Sequence, residues 1–193
     1  MTLSRAQLRR ELRARRAALT PGLRLAAADA VARHLGHQTE LREPGYVGGY
    51  WAVNGELPLH AVQLRLAPGQ VWCLPVLQPD GGLRFSPWRA GDPLQPNRYG
   101  IPEPVLAHES TLAPDQLTWV LLPLLGFDRR GGRLGMGGGG YDRAFAFRRD
   151  GAPPPLLVGV GYGFQELPAL AVEPWDVALD AIATEHGFLP AGR

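Results

Sequence analysis

The chain has 193 residues, 45% of them hydrophobic and 20% charged, the balance of a soluble globular protein with room for one domain and a proper core. The formal charge is only +2 and all 20 basic residues are arginine; without lysine, no Walker P-loop can be present. Any phosphate site must therefore use arginine forks and backbone N–H groups.

No apolar run approaches the ~20 residues that a membrane helix needs. The opening "MTLSRAQLRRELRARR" has no apolar stretch of the kind a secretory signal carries. There is one cysteine, Cys73, so no internal disulfide can form, and a cytoplasmic location is expected.

Residues 4–19 predict a helix capped by Ser4. Leu8, Leu12 and Leu19, with Ala18, share one stripe, and arginine covers the rest. Thr20 as cap and Pro21 at the first position open a second helix through about Leu35. Strands are predicted at 46–53, 70–77, 83–88, 117–127 and 155–162, with a further one over 176–184. Helical stretches are predicted at 58–67 and 141–149. The Pro-rich segment 90–116 reads as a surface loop. Alternating β and α elements with continuous apolar strands predict an α/β domain, its sheet mostly parallel with helices on both faces. With no repeat and no long linker, residues 1–193 are taken as one domain.

The stretch "RLGMGGGGYDR", Arg133 to Arg143, fits the letters of a dinucleotide fingerprint. Its context does not fit. The strand before it ends near Leu125, "FDRRGGRL" intervenes, the following helix is short, and no acid sits where a ribose contact belongs. Glycine clusters are most often surface turns. Here Arg133 precedes the run, and Tyr141, Asp142 and Arg143 follow it. That supplies a guanidinium for phosphate, an aromatic face for a planar ring and a carboxylate for a metal. An anion-binding loop built from backbone N–H groups is the expectation.

Arg5 and Arg9 are four apart and share a helix face. A solvated basic face accounts for most such arginines, and the small net charge argues against nucleic acid. Glu56 follows a strand, with Trp51 before it. Such a carboxylate could take two hydrogen bonds from the edge of a pterin or guanine, or could simply face a helix N-terminus. Cys73 in "VWCLP" reads as a buried core thiol. The histidines have no metal-ligand spacing. Asp176 and Asp180 could each ligate a cation, although solvated carboxylates are the plainer reading.

The run "LLPLLGFDRRGGRLGMGGGGYDR" resembles the signature of the 5-formyltetrahydrofolate cyclo-ligase (5,10-methenyltetrahydrofolate synthetase) family. "SRAQLRRELRARRAAL", "GYWAVNGELPLH", "CLPV", "YGIPEP" and "GVGYGFQELPALAVEPWDVALDAIATEHG" extend the resemblance over nearly the whole chain. It implies an enzyme of one-carbon metabolism. The implied reaction is ATP- and Mg²⁺-dependent closure of 5-formyltetrahydrofolate to 5,10-methenyltetrahydrofolate, releasing ADP and phosphate. The alternative is a non-catalytic nucleotide- or RNA-binding module of the same fold. By resemblance, Arg5 and Arg9 contact the ATP phosphates. The ATP loop comprises Arg133, also the catalytic residue, with Leu134, Gly135, Met136, Gly137, Gly138, Gly139, Gly140 and Tyr141. Positions 136–140 also face the folate, which Trp51 and Glu56 contact. Asp142 and Asp176 are the implied Mg²⁺ positions. The family usually has two aromatics before this aspartate, where the chain has Gly140 and Tyr141. It often has Tyr, Arg or Lys in the loop, where the chain has Met136 and Gly138.

Overall fold

The computed structural model describes residues 3–105 and 110–192. Two helices open the chain, and each begins as its caps dictate. In α1 (Arg5–Ala17), the Ser4 hydroxyl accepts from the Gln7 N–H while the Gln7 side chain accepts from the Ser4 N–H, a reciprocal box. In α2 (Pro21–Gly36), the Thr20 hydroxyl accepts from the Leu23 N–H and Pro21 occupies the first turn.

A seven-stranded sheet follows. Its strands are β1 (Gly45–Gly48), β2 (Gln70–Leu77), β3 (Leu83–Pro87), β6 (Trp119–Pro123), β9 (Leu156–Val160), β10 (Ala181–Thr184) and β11 (Gly187–Pro190), in the order β11-β10-β9-β6-β1-β2-β3. The run from β10 to β2 is parallel, and β3 and β11 close the two edges antiparallel. The sheet class predicted from the alternation is therefore present. Side chains alternate between two buried layers. Val47, Trp72, Leu74, Trp119, Leu121, Val158 and Val160 face α2 and the short α3 (His60–Gln63). Cys73, Val120, Leu122, Leu157 and Ile182 face the other way, onto Phe85, Phe145 and Leu179. Phe145 immediately follows α4 (Gly140–Ala144), which packs on β3. Cys73 is a core thiol as predicted, and burial pushes its pKa up to about 12.

Several elements differ from the sequence expectation. The strand predicted over 46–53 stops at Gly48. Gly49 lies against the Trp72 ring, where an added Cβ would sit 2.0 Å from a ring carbon. Asn54 and Gly55 then take φ of 51° and 76°, turning the chain back. The helix over 58–67 is reduced to α3, since Pro68–Gly69 must deliver the chain to β2. The segment 90–116 is not merely a loop: β4 (Leu94–Pro96) and β5 (Pro102–Pro104) form a hairpin, its tip organised by the Asn97 side chain accepting from the Tyr99 and Ile101 N–H groups. Residues 106–109 of that segment lie outside the described residues. The helix over 141–149 breaks at Phe145, whose buried ring meets Phe85, Tyr141 and Phe147, and resumes as a 3-10 turn at Ala146–Arg148. The last predicted strand begins only at Ala181. Asp180 is not a solvated carboxylate, because buried Arg148 holds both its oxygens at 3.0 and 2.8 Å.

Between β6 and the glycine run sits a two-residue hairpin, β7 (Gly126–Phe127) with β8 (Arg133–Leu134). Its turn is organised by Asp128, which is 1% exposed. That carboxylate accepts from the Arg130, Gly132 and Leu170 N–H groups at 3.0, 2.9 and 2.8 Å, and from the Arg130 guanidinium at 3.1 Å. Burial pushes its pKa up, but these hydrogen bonds together outweigh it and the net shift is downward.

Two stability predictions follow from these contacts. Gly49→Ala must displace the Trp72 ring and should cost about 1–3 kcal/mol in urea unfolding. Asp128→Ala strands buried N–H groups, at about 1–3 kcal/mol each. The native pKa of Asp128 lies below the ordinary 3.8. The stability it lends is thus complete above that value and drains away as pH falls through the native one. The acid limb of the wild-type stability curve should therefore be shallower in Asp128→Asn, measured by urea unfolding between pH 2 and pH 6 (roughly the span of carboxylate titration).

Candidate functional site

In a parallel sheet, the carboxyl ends of neighbouring strands open a crevice where their connections leave in opposite directions. Here β1 and β6 are neighbours, with β2 beyond one and β9 beyond the other. A cleft of about 820 Å³ lies at that point, lined by residues that follow β1 (Tyr50, Trp51, Val53, Asn54, Glu56), the end of β2 (Pro75, Leu77) and the end of β6 (Pro123, Leu124). The glycine loop, the tip of the β4–β5 hairpin, the start of α1 and the strap 173–176 complete its wall.

The structure gathers the predicted residues here. Arg5, Arg9, Trp51, Glu56, Arg133, Gly135, Met136, Gly137, Gly138, Gly139, Gly140, Tyr141, Asp142 and Asp176 all line the cleft. Leu134 does not: it is fully buried and packs with Leu12, Leu125 and Leu170. The strand period explains this, because Arg133 and Leu134 are neighbours on β8 and face opposite ways.

In the glycine loop, Gly137 and Gly139 have φ of 104° and 65°, conformations that favour glycine. Arginines take its carbonyls. Arg9 Nε donates to Gly135 O at 2.9 Å, and Arg143 Nη2 donates to Gly138 O and Gly81 O, both at 2.9 Å. Among the described residues, the N–H groups from Met136 to Gly139 donate to nothing within the chain. Carbonyls turned outward to arginine and N–H groups left unspent make an anion-binding concavity. The helix that follows has only five residues, so the loop and not a helix dipole carries the effect.

Charge is layered around this loop. Arg133 is 6% exposed along its side chain and pairs with Asp142. Asp142 Oδ1 also accepts from the Val177 N–H at 3.1 Å, and Arg133 Nε is buried without a partner. Arg5 donates to Asp176 at 3.2 Å and to Ala171 O at 3.1 Å, fastening α1 to the 171–176 strap. The pKa of Arg9 is lowered by burial and then by its neighbours Arg5 and Arg13. Guanidiniums crowded in this way are relieved by an anion. Asp142 Oδ2 and Asp176 Oδ1 accept none of the hydrogen bonds among the described residues.

The other end of the cleft has a different character. Glu56 Oε2 accepts from the Val53 N–H at 3.0 Å. Burial raises the Glu56 pKa, opposed by that bond and by the Arg16 charge. Trp51 meets Trp88 edge to face at 5.8 Å. Tyr141 stacks on Phe145, and burial and the charge of Glu56 keep its hydroxyl protonated. Exposed Tyr99, Met136 and Trp175 supply apolar surface at the mouth.

Two arginines around the cleft have partners that the sequence does not show. Arg143 was legible as a charge beside the loop but not as the clasp holding its carbonyls. Arg16 is an exception to the solvated face expected for most arginines of this helix, being 1% exposed. Its place four residues after Leu12, on the apolar stripe of α1, was the available signal. No helix among the described residues is long and apolar enough to cross a membrane.

Comparison with known proteins adds three findings. A model of the 5-formyltetrahydrofolate cyclo-ligase family matches residues 1–185. The 5-formyltetrahydrofolate cyclo-ligase of Haemophilus influenzae is 34% identical over 181 residues, covering 92% of this chain and 96% of the relative. That of Escherichia coli K12 is 34% identical over 177 residues, covering 90% and 96%. The structure of 5,10-methenyltetrahydrofolate synthetase from Aquifex aeolicus superposes with a TM-score of 0.82 at 26% identity, covering 99% of this chain and 95% of that one. A sheet, a cleft and a signature shared along nearly the whole length lead to one assignment: this chain belongs to the 5-formyltetrahydrofolate cyclo-ligase family and is a ligase of folate chemistry.

Proposed function

We propose that the cleft binds ATP at its arginine-rich end and 5-formyltetrahydrofolate at its Glu56 end, and closes the folate to its 5,10-methenyl form. The observation that carries this reading is the glycine loop, with N–H groups free and carbonyls occupied, set between a cationic end and an aromatic, carboxylate-bearing end. The formyl oxygen is a very poor leaving group. Its lone pair attacks the γ-phosphorus, the bond to the β-phosphate oxygen breaks, and ADP departs. N10 of the same substrate then adds to the activated formyl carbon and loses its proton, and phosphate leaves with the C–O bond electrons. The methenyl cation remains. No protein nucleophile is needed, so the enzyme must position two ligands and neutralise charge.

Arg5, Arg9 and the loop N–H groups hold the triphosphate. Arg133, fixed by Asp142, stabilises charge on the transferring phosphoryl group. Glu56 accepts from a pterin ring N–H and its exocyclic amine, with Trp51 alongside. The carboxylate oxygens left open on Asp142 and Asp176 fit a Mg²⁺ ion, whose shell phosphate oxygens and water would complete and whose charge would offset that of the polyphosphate.

Incubation with Mg·ATP and 5-formyltetrahydrofolate should give ATP-dependent methenyl absorbance. Binding of nucleotide or RNA with no turnover would overturn the reading in favour of a non-catalytic module. Arg133→Ala and Asp142→Ala should each fold, by circular dichroism, and lose at least about 100-fold in kcat; near-wild-type activity in both would remove these residues from the site. Glu56→Gln should raise KM for the folate about tenfold or more and leave KM for ATP unchanged. Because burial lifts the Glu56 pKa above its ordinary 4.5, kcat/KM for the folate should fall as pH drops through an acid limb above that value. The limb should vanish in Glu56→Gln.

A further inference from the structure

We propose that Arg16 is a positioning residue for the folate: from beneath the cleft floor its guanidinium ties the 53–57 loop to the end of β6, and its charge backs Glu56 from the side away from the ligand. The inference rests on the reading of Glu56 as the pterin contact.

The 53–57 loop carries Glu56 with little structure of its own, and side chains from below fix its carbonyls. Arg16 Nε donates to Asn54 O at 2.9 Å. Tyr162 donates to Gly55 O at 3.3 Å, and Tyr50 to Leu57 O at 2.7 Å. Arg16 alone also reaches across the crevice, with Nη1 on Leu124 O at 3.4 Å. It thereby joins the chain leaving β1 to the chain leaving β6, the two sides between which the ligand must sit. The contact is close: a Cβ on Gly55 would stand 3.4 Å from Arg16 Cγ.

This arrangement does not maximise stability. Arg16 is 1% exposed, has no carboxylate within ion-pair distance among the described residues, and leaves Nη2 buried without a partner. A buried charge in that state costs several kcal/mol, and an apolar side chain of similar length would serve the core better. Arg148 shows how the same protein treats a structural buried arginine, with a carboxylate gripping it from both oxygens. The guanidinium lies against the loop that carries Glu56, with Nε on Asn54 O and Cγ beside Gly55, and its charge favours the ionised form of that acid.

The titratable groups facing Glu56 are Arg16 from α1, Tyr50 after β1, Tyr141 from α4 and Tyr162 after β9. Burial keeps the tyrosines protonated and neutral. Arg24 of α2 touches the same loop at Gly55, with Nη2 on the Arg16 and Ala17 carbonyls and Nε buried without a partner, but its charge is not among those acting on Glu56. Arg16 is thus the cation that favours the ionised form of Glu56. Only that form offers two acceptors to a pterin edge.

The test uses Arg16→Met, Arg16→Lys and Glu56→Gln in the full chain. Arg16→Met should fold at least as stably as wild type. It should raise KM for 5-formyltetrahydrofolate about tenfold with KM for ATP within about twofold, and move the acid limb of kcat/KM for the folate to higher pH. Arg16→Lys should restore the limb but recover KM only in part, since one ammonium cannot span both carbonyls. A wild-type limb and folate KM in Arg16→Met would overturn the proposal, as would equal rises in both KM values. If Arg16→Met does not fold, the limb decides in Arg16→Gln, which keeps a donor and drops the charge; a wild-type limb there is equally fatal. An unaltered folate KM in Glu56→Gln would instead remove the reading of Glu56 itself.

Discussion

The site depends on two parallel strands that stand side by side and part company at their ends. β1 turns away toward α3 and β2, while β6 continues into the β7–β8 hairpin. A crevice between diverging chains is a consequence of that connectivity. Trp51, Glu56 and the glycine loop sit on segments outside the sheet with no ladder of hydrogen bonds. Such segments are held by side chains or not at all. The buried polar residues are distributed accordingly. Gln165 takes the carbonyls of Leu124 and Leu125 at 3.0 and 2.8 Å, Asp128 gathers the turn before Arg133 and the strap that leads to Asp176, and Arg16 spans the crevice.

These braces differ in how completely they are satisfied. Asp128 accepts three backbone N–H groups and a guanidinium, close to its full capacity, and its ionised form is favoured. Arg148 with Asp180 is comparably complete. Arg16, Arg24 and Arg133 each retain a buried N–H without a partner. A fully satisfied buried charge contributes order at little net cost, whereas a partly satisfied one lowers stability and keeps a field directed at its neighbours. Arg16 and Arg24 lie against the 53–57 loop, and Arg133 lines the wall beside the glycine loop. Strain of this electrostatic kind concentrates where ligands bind.

Much of this was legible in the sequence. The two opening helices declare themselves through Ser4, Thr20 and Pro21, and the sheet through apolar runs with no polar interruption. The glycine loop was separable from a dinucleotide fingerprint because Gly135 comes ten residues after Leu125. The residues between them prove to be the β7–β8 hairpin, too short for any periodicity to register. The β4–β5 hairpin was hidden by its prolines, which suit short strands lying outside a main sheet. The early end of β1 depends on Trp72 pressing on Gly49, a contact between segments far apart in the chain. The burial of Arg16 is of the same kind: its position on the apolar stripe is local information, but its partners Asn54 and Leu124 are not. Local signals recover elements, and long-range partners decide where the elements stop and which charges go inside.

Tyr141 connects the two ends of the cleft. It lines the cleft together with Glu56 and Arg133, and the charges of both act on its hydroxyl. Its ring is braced by Phe145, 6.4 Å away and 11° from parallel. The preceding residue, Gly140, is where the resembled family usually carries a second aromatic. Packing does not enforce the glycine: a Cβ there would make ordinary contacts at 3.7 Å to Gly81 O and 3.9 Å to Leu83. The space belongs to the cleft. Met136 and Trp175 present apolar surface nearby. Glu56 and Trp51 both lie on the chain leaving β1, so the placement of that end of the cleft depends on whatever holds the 53–57 loop.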